Sequence, residues 1–237
     1  MKNKPYYRLV LAFMPAIIGL LLLPGMAAQG SDKSGGTAAT GNGKTNVEQQ
    51  VEKVRLPKEL VARAGQITTG RAYSGYVKAV DSYSAITVDL PKEWTQVESG
   101  DWIVHGKPVG RFIAASTDLQ AFYNTGAVPG VYFAASSVVP AYNDLATAPD
   151  VAVSAGTCKN MGVFDYQDTF YQGAYNYYAD CGKGASNLLV LNGAPGSQDF
   201  MTSVRLSIRS KEDLDAAAHI LATFQVVGRL DADNHSH

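Results

Sequence analysis

The chain has no G-x-S-x-G or G-D-S-G-G segment, no H-E-x-x-H, no C-x-x-C, and no glycine-rich loop of the kind that opens a phosphate-binding helix. Each absence removes a class of chemistry. A serine hydrolase brings nucleophile, base and orienting acid together, and the familiar settings for its nucleophile are missing. Zinc needs clustered thiolate, imidazole or carboxylate ligands. Gly182-Lys183-Gly184 is too little of the phosphate-loop pattern and reads as a turn. Basic runs are also missing beyond Arg8, and the formal net charge is −1. Neutralising phosphates takes clustered Lys and Arg, so nucleic acid is excluded as a partner. Cysteine is scarce: Cys158 and Cys181 are the whole supply. Of the four histidines, only His105 and His219 fall where the chain reads as folded.

What is present begins with a leader. Lys2, Lys4 and Arg8 precede the apolar run LVLAFMPAIIGLLLL at 9–23, then Pro24-Gly25 and the small residues Ala27 and Ala28. Basic start, short apolar stretch and small-residue exit describe a secretory signal peptide over 1–28. The run is shorter than the ~20 residues of a membrane span, and an uncleaved anchor is the alternative. In that case the leader is the chain's only route to a membrane. The expected location is secreted, periplasmic or cell-envelope. Residues 29–65 open with QGSDKSGGTAATGNGKT, a flexible linker, and continue into a short helix. Residues 228–237 read as a polar tail. Its end, DADNHSH, offers at most weak capture of a divalent ion, so no metal site is assigned.

Residues 66–227 carry the fold. Short β-rich runs alternate with turn residues at 72–80, 85–90, 102–104, 111–115, 130–136, 188–191 and 202–208. Thr117 or Asp118 caps a short helix DLQAFYN, with Leu119, Phe122 and Tyr123 turned inward. Ser210 caps the clearest helix, whose stripe is Leu214, Ala217, Ala218 and Leu221. Runs 158–164 and 174–181 form the best hairpin. Setting Cys158 opposite Cys181 puts Phe164 opposite Tyr175, and period-two alternation then places both cysteines, Phe164, Tyr175 and Tyr177 on one face. Cysteines facing each other across antiparallel strands are close enough to bond, so a Cys158–Cys181 disulfide is expected. Many antiparallel strands with segregated helices make an α+β domain, with one central, mainly antiparallel sheet covered by helices.

One constellation draws a functional reading. Aromatic residues crowd the hairpin, with Asp165, Asp168 and Asp180 among them. Exposed rings beside acids stack on sugars or anchor a protein partner. The expected binding surface is Tyr166, Phe170, Tyr171, Tyr175 and Tyr178, most exposed in the loop 166–173, although alternation must turn some of these rings inward. The partner would be an extracytoplasmic protein or a glycan.

The segment ITVDLPKEW at 86–94 resembles the opening of exported bacterial domains related to the photosystem II extrinsic protein (PsbP-like) family. GRFIAASTD at 110–118, PGVYFAAS at 129–136, YNYYADCG at 175–182 and SKEDLDAAAHILATFQV at 210–226 are similar to the same group. The resemblance implies an α/β/α sandwich around an antiparallel sheet and an adaptor role. It implies no cofactor and carries over no catalytic residue. The leading expectation is therefore a non-enzymatic exported binding module. The alternatives are an extracytoplasmic hydrolase or peptidase-associated accessory protein, with His105 beside Asp101 or Asp118, and an envelope structural or lipid-carrier protein.

Overall fold

Strand pairing organises the chain. The structure, a computed structural model, describes Leu56, Lys58 and residues 60–62, 70–104, 106–138, 158–181 and 186–230. The leader, nearly all of the linker, His105 and the tail residues 231–237 lie outside the described residues. The elements run β1 (Tyr76–Val80), β2 (Ile86–Pro91), β3 (Gln96–Val104), β4 (Lys107–Ser116), α1 (Leu119–Thr125), β5 (Gly130–Ser136), β6 (Lys159–Gln167), β7 (Gln172–Cys181), β8 (Ser186–Ala194), β9 (Met201–Ile208), α2 (Lys211–Thr223) and β10 (Gln225–Val226). Adjacent strands pair antiparallel throughout. The class is α+β.

The single central sheet expected from the sequence is two sheets. Seven strands form the larger, in the order β3-β4-β5-β9-β8-β7-β6; β1, β2 and β10 form the smaller. The chain leaves β2 at Pro91, which donates no backbone hydrogen bond, and turns through Trp94 N–H to Pro91 O. The free side of β2 is then filled from the far end of the sequence by β10, with Val226 opposite Ile86. β3 also begins earlier than its apolar pattern shows. Its first half, QVESG, is polar and lies at the sheet edge, where pairing to β4 rather than propensity sets the strand.

Helix α2 packs on β2 and β9. Its Leu214, Ala217, Ile220 and Leu221 join Ile86, Val88, Leu90, Val204, Leu206 and Ile208 in the main core. Ala218, counted in the expected stripe, is only half-buried. Leu60 and Leu230 are also buried in this core, so the packed body extends upstream of Gln66 and into the segment that reads as polar tail. Asp118 caps α1 by accepting the Ala121 N–H at 3.0 Å, and Phe122 is the residue of that helix which is buried. Buried Asp81 shapes the β1–β2 turn, accepting N–H groups from Ala85 at 2.6 Å, Ile86 at 2.7 Å and Tyr83 at 3.0 Å. Buried Arg111 ion-pairs with Asp101 and lays its guanidinium carbon 3.6 Å from the centroid of the Tyr83 ring. Asp101 and Asp118, the acids offered as partners for His105, therefore both hold structural positions.

In the hairpin, Phe164 pairs with Tyr175 as the register predicts, and Cys158 and Cys181 form a disulfide. The shared face does not hold. Register shifts fall between Asn160 and Gly162 in β6 and between Tyr178 and Cys181 in β7. A residue inserted into one strand changes which face the following side chains take. The disulfide accordingly packs with Leu188, Tyr178 and Val190 in a small cluster of its own, while Tyr175 and Tyr177 lie in the main core with Phe164 against them. A disulfide is the chemistry of an oxidising, extracytoplasmic compartment. Among the described residues, no helix is long and apolar enough to cross a membrane.

Candidate functional site

The hairpin rings do not form the expected surface. Tyr166, Tyr171 and Tyr175 are 6%, 4% and 5% exposed, Tyr178 is half-buried beside the disulfide, and Phe170 alone of the five is open, at 40%. The cause is the loop. Asp168 accepts the N–H groups of Phe170 and Tyr171, each at 2.6 Å, and the Tyr166 hydroxyl. That folds the loop back and sends Tyr171 inward. There it stacks on Phe224 at 4.8 Å and accepts the Val226 N–H at 3.0 Å. Burial pushes the Tyr171 hydroxyl up to about 12. Tyr166 is raised too, by burial first and then by Asp168, and its hydroxyl also reaches Leu221 O at 3.2 Å. These rings fasten the hairpin to the end of α2 and to β10. Tyr171→Phe is expected to cost about 1–2 kcal/mol by leaving the Val226 N–H unpaired, and Phe170→Ala under about 0.5 kcal/mol. Urea unfolding of the two variants measures both, and equal losses would contradict this assignment.

A different group of residues makes a cavity. Ala72, Tyr73, Tyr76, Glu212 and Asp215 line a space of about 130 Å³ between the segment leading into β1 and the first turns of α2. α2 starts there because Ser210 caps it reciprocally with Asp213: Asp213 N–H donates to Ser210 Oγ at 3.1 Å and Ser210 N–H to Asp213 Oδ2 at 3.0 Å. The other oxygen of Asp213 accepts the Tyr73 hydroxyl at 2.6 Å, and that hydroxyl accepts the Trp94 indole N–H at 3.0 Å. The Tyr73 ring meets Trp94 edge-on. One buried carboxylate thus sets the helix start and a pocket wall together.

The cavity's electrostatics follow from its lining. Tyr73 is raised by burial, then by its bond to Asp213. Tyr76 is raised by burial, then by the charges of Asp215 and Glu93. Both phenols therefore stay neutral. Glu212 is held below the usual carboxylate range by backbone hydrogen bonds, its own N–H first; the Gly70 N–H at 2.9 Å is another. Glu93 is held low chiefly by the Ser74 N–H at 2.7 Å. Neutral rings and the carboxylates of Glu212 and Asp215 line the space, with Lys211 close enough to act on Glu212 and Arg71 on Glu93; the acids and rings of the lining suit a positive group that also has apolar surface.

Tyr76 is shared with a second feature. The His219 imidazole stacks on it, with centroids 3.6 Å apart and planes 15° from parallel, and His219 Nε2 lies 3.5 Å from Asp89 Oδ2. That is ion-pair range without hydrogen-bond geometry. Burial pulls His219 below its ordinary value, with Asp89 opposing. Its folded midpoint lies below its unfolded one, so its share of stability is complete above the unfolded value and lost as pH falls through the folded one. The nearby Thr223 hydroxyl accepts the Asp89 N–H at 3.2 Å and donates to His219 O at 2.9 Å. It is committed to backbone and is no nucleophile for this pair. Among the described residues, no group of three or more His, Cys, Asp or Glu is placed to hold a metal.

Tyr73, Tyr76 and Asp215 carry no signal in the sequence read alone. Glu212 carries no signal of a pocket there either. Compared with known proteins, the chain matches no family model and no curated protein.

Proposed function

We propose that the chain is an exported, non-enzymatic binding module that receives a positively charged side chain of an extracytoplasmic protein between Tyr73, Tyr76, Glu212 and Asp215. The observation that carries this reading is the cavity itself: two phenol rings, neutral through burial, with two carboxylates on its lining. A lysine or arginine head there gains attraction from the acids and from the ring faces, worth together about 1–2 kcal/mol at a half-exposed site. The glycan alternative is weakened because three of the five rings it needed are buried and only Phe170 is open. The resemblance to PsbP-like domains, and the α/β/α sandwich it implies, belong to the same proposal. The similar segments fall on β2, β4, β5, the end of β7 and α2. An adaptor with a tether accords with the linker sequence ahead of the domain.

The test is a titration with a blocked Gly-Lys-Gly peptide, followed through the ring NMR signals of Tyr73 and Tyr76, with blocked Gly-Glu-Gly as control. Saturable shifts in the millimolar range are expected from the lysine peptide alone. Tyr76→Ala and Asp215→Asn should each weaken it about fivefold. Ring signals indifferent to the lysine peptide, or moved equally by both, would end the proposal.

A further inference from the structure

We infer that His219 makes this site pH-sensitive: on acidification the imidazolium becomes a cation already resting on Tyr76, and it weakens the hold of the pocket on a second cation. The inference rests on the pocket reading given above and concerns its regulation.

The geometry supplies the coupling. Tyr76 is both a wall of the cavity and the ring on which His219 lies at 3.6 Å. Asp215, on the cavity lining, precedes His219 by one helical turn on α2, so the two project from neighbouring places on one helix face. The groups facing His219 are Asp89 from β2 and Tyr76 from β1; Asp215 stands one turn away on its own helix and faces Tyr76 electrostatically. With His219 neutral, Asp215 and the ring face of Tyr76 act wholly on the bound cation. With His219 protonated, the shared Tyr76 ring is partly engaged by the imidazolium, and the new charge repels a cation bound on the other side of that ring. Repulsion between like unit charges on the two sides of one ring, at an effective dielectric between that of water and that of a protein surface, weakens binding roughly three- to tenfold.

Burial of the imidazole makes the change fall on the acid side of neutrality. Asp89, 3.5 Å away, is the counter-charge that lets protonation occur without expelling the ring. By linkage, a cation in the pocket must make His219 harder to protonate by the same factor that protonation weakens the cation.

Two readings of one experiment decide it. The His219 imidazole signal is followed against pH with and without the blocked Gly-Lys-Gly peptide, and the purified chain is titrated with that peptide at about pH 7.5 and at a pH about one unit below the midpoint so found. The expected result is binding three- to tenfold weaker at the lower pH, with the His219 midpoint falling by about half to one unit when peptide is present. In His219→Gln the peptide should bind at both pH values with one affinity. Asp89→Asn, which removes the counter-charge, should lower the midpoint and extend tight binding to more acid solution. Peptide binding that is equal at the two pH values, or pH dependence that survives in His219→Gln, overturns the role of His219 and leaves the pocket standing. Failure of the peptide to bind near pH 7.5 removes the pocket, and the inference with it.

Discussion

Asp213→Ala is expected to lower the free energy of unfolding by about 3 kcal/mol, from the loss of a helix cap plus buried donors left without an acceptor. Asp213 is buried, and its two oxygens receive the N–H groups of Arg209 and Ser210, each at 3.0 Å, and the Tyr73 hydroxyl at 2.6 Å. Alanine frees all three donors where little water reaches them. The first turn of α2 loses its capping partner, and Tyr73 loses the bond that positions it over the cavity. Asp215→Ala is the matched control: it lies two residues on in the same helix, is exposed, and should change stability by less than about 0.5 kcal/mol. Urea denaturation with an unchanged slope measures both. The two should separate oppositely in function, since Asp215→Ala keeps the fold and loses affinity for the lysine peptide. A loss below about 1 kcal/mol for Asp213→Ala would mean that the cap is replaceable and that Tyr73 is held by packing alone.

Removing the disulfide is expected to cost a similar amount. Cys158 and Cys181 are separated by 23 positions, and closing a loop of that size restricts the unfolded chain by about 3 kcal/mol in the loop-entropy model. Cys158→Ser with Cys181→Ser should show that loss as a lower thermal midpoint. Reduction of the unmodified chain should reproduce most of it. Cys181 is buried beside Leu188 and Tyr178, so a serine hydroxyl there adds a desolvation cost of its own. The comparison that isolates the bond is reduced against oxidised protein of one sequence. If the two melt together, the bridge contributes nothing to the folded state, and the oxidising compartment ceases to matter to this domain.

Local features of the fold were legible. Ser210 shows as a cap, and the first cap shows as Thr117 or Asp118, because a short oxygen-bearing side chain before an apolar stripe satisfies the free N–H groups of a helix start; the structure selects Asp118. Strand β5 is matched residue for residue, since its apolar run ends at clear turn residues. The Phe164–Tyr175 pairing could be read because hairpin register couples residues close in sequence. The faces of that same hairpin could not be read: an inserted residue in each strand leaves no compositional mark, yet it carried the cysteines away from Tyr175 and Tyr177. The polar half of β3 was hidden for a related reason, its backbone partners lying in β4. The candidate site was illegible altogether. Tyr73 meets Asp213 across 140 positions and Gly70 meets Glu212 across 142. The hairpin rings misled because tyrosine serves equally in a core and on a surface. Which of the two applies depends on where Asp168 folds the loop and on whether Phe224 and Val226 are waiting beneath it.

By itself, then, the sequence determined the α+β class, the caps, the hairpin and its disulfide, all products of patterns that act over a few residues or one turn. Tertiary structure alone decided the division into two sheets, the burial of the hairpin tyrosines and the gathering of Tyr73, Tyr76, Glu212, Asp215 and His219. Those outcomes require distant segments to meet, and the free energy of such a meeting belongs to the packed pair rather than to either stretch of chain.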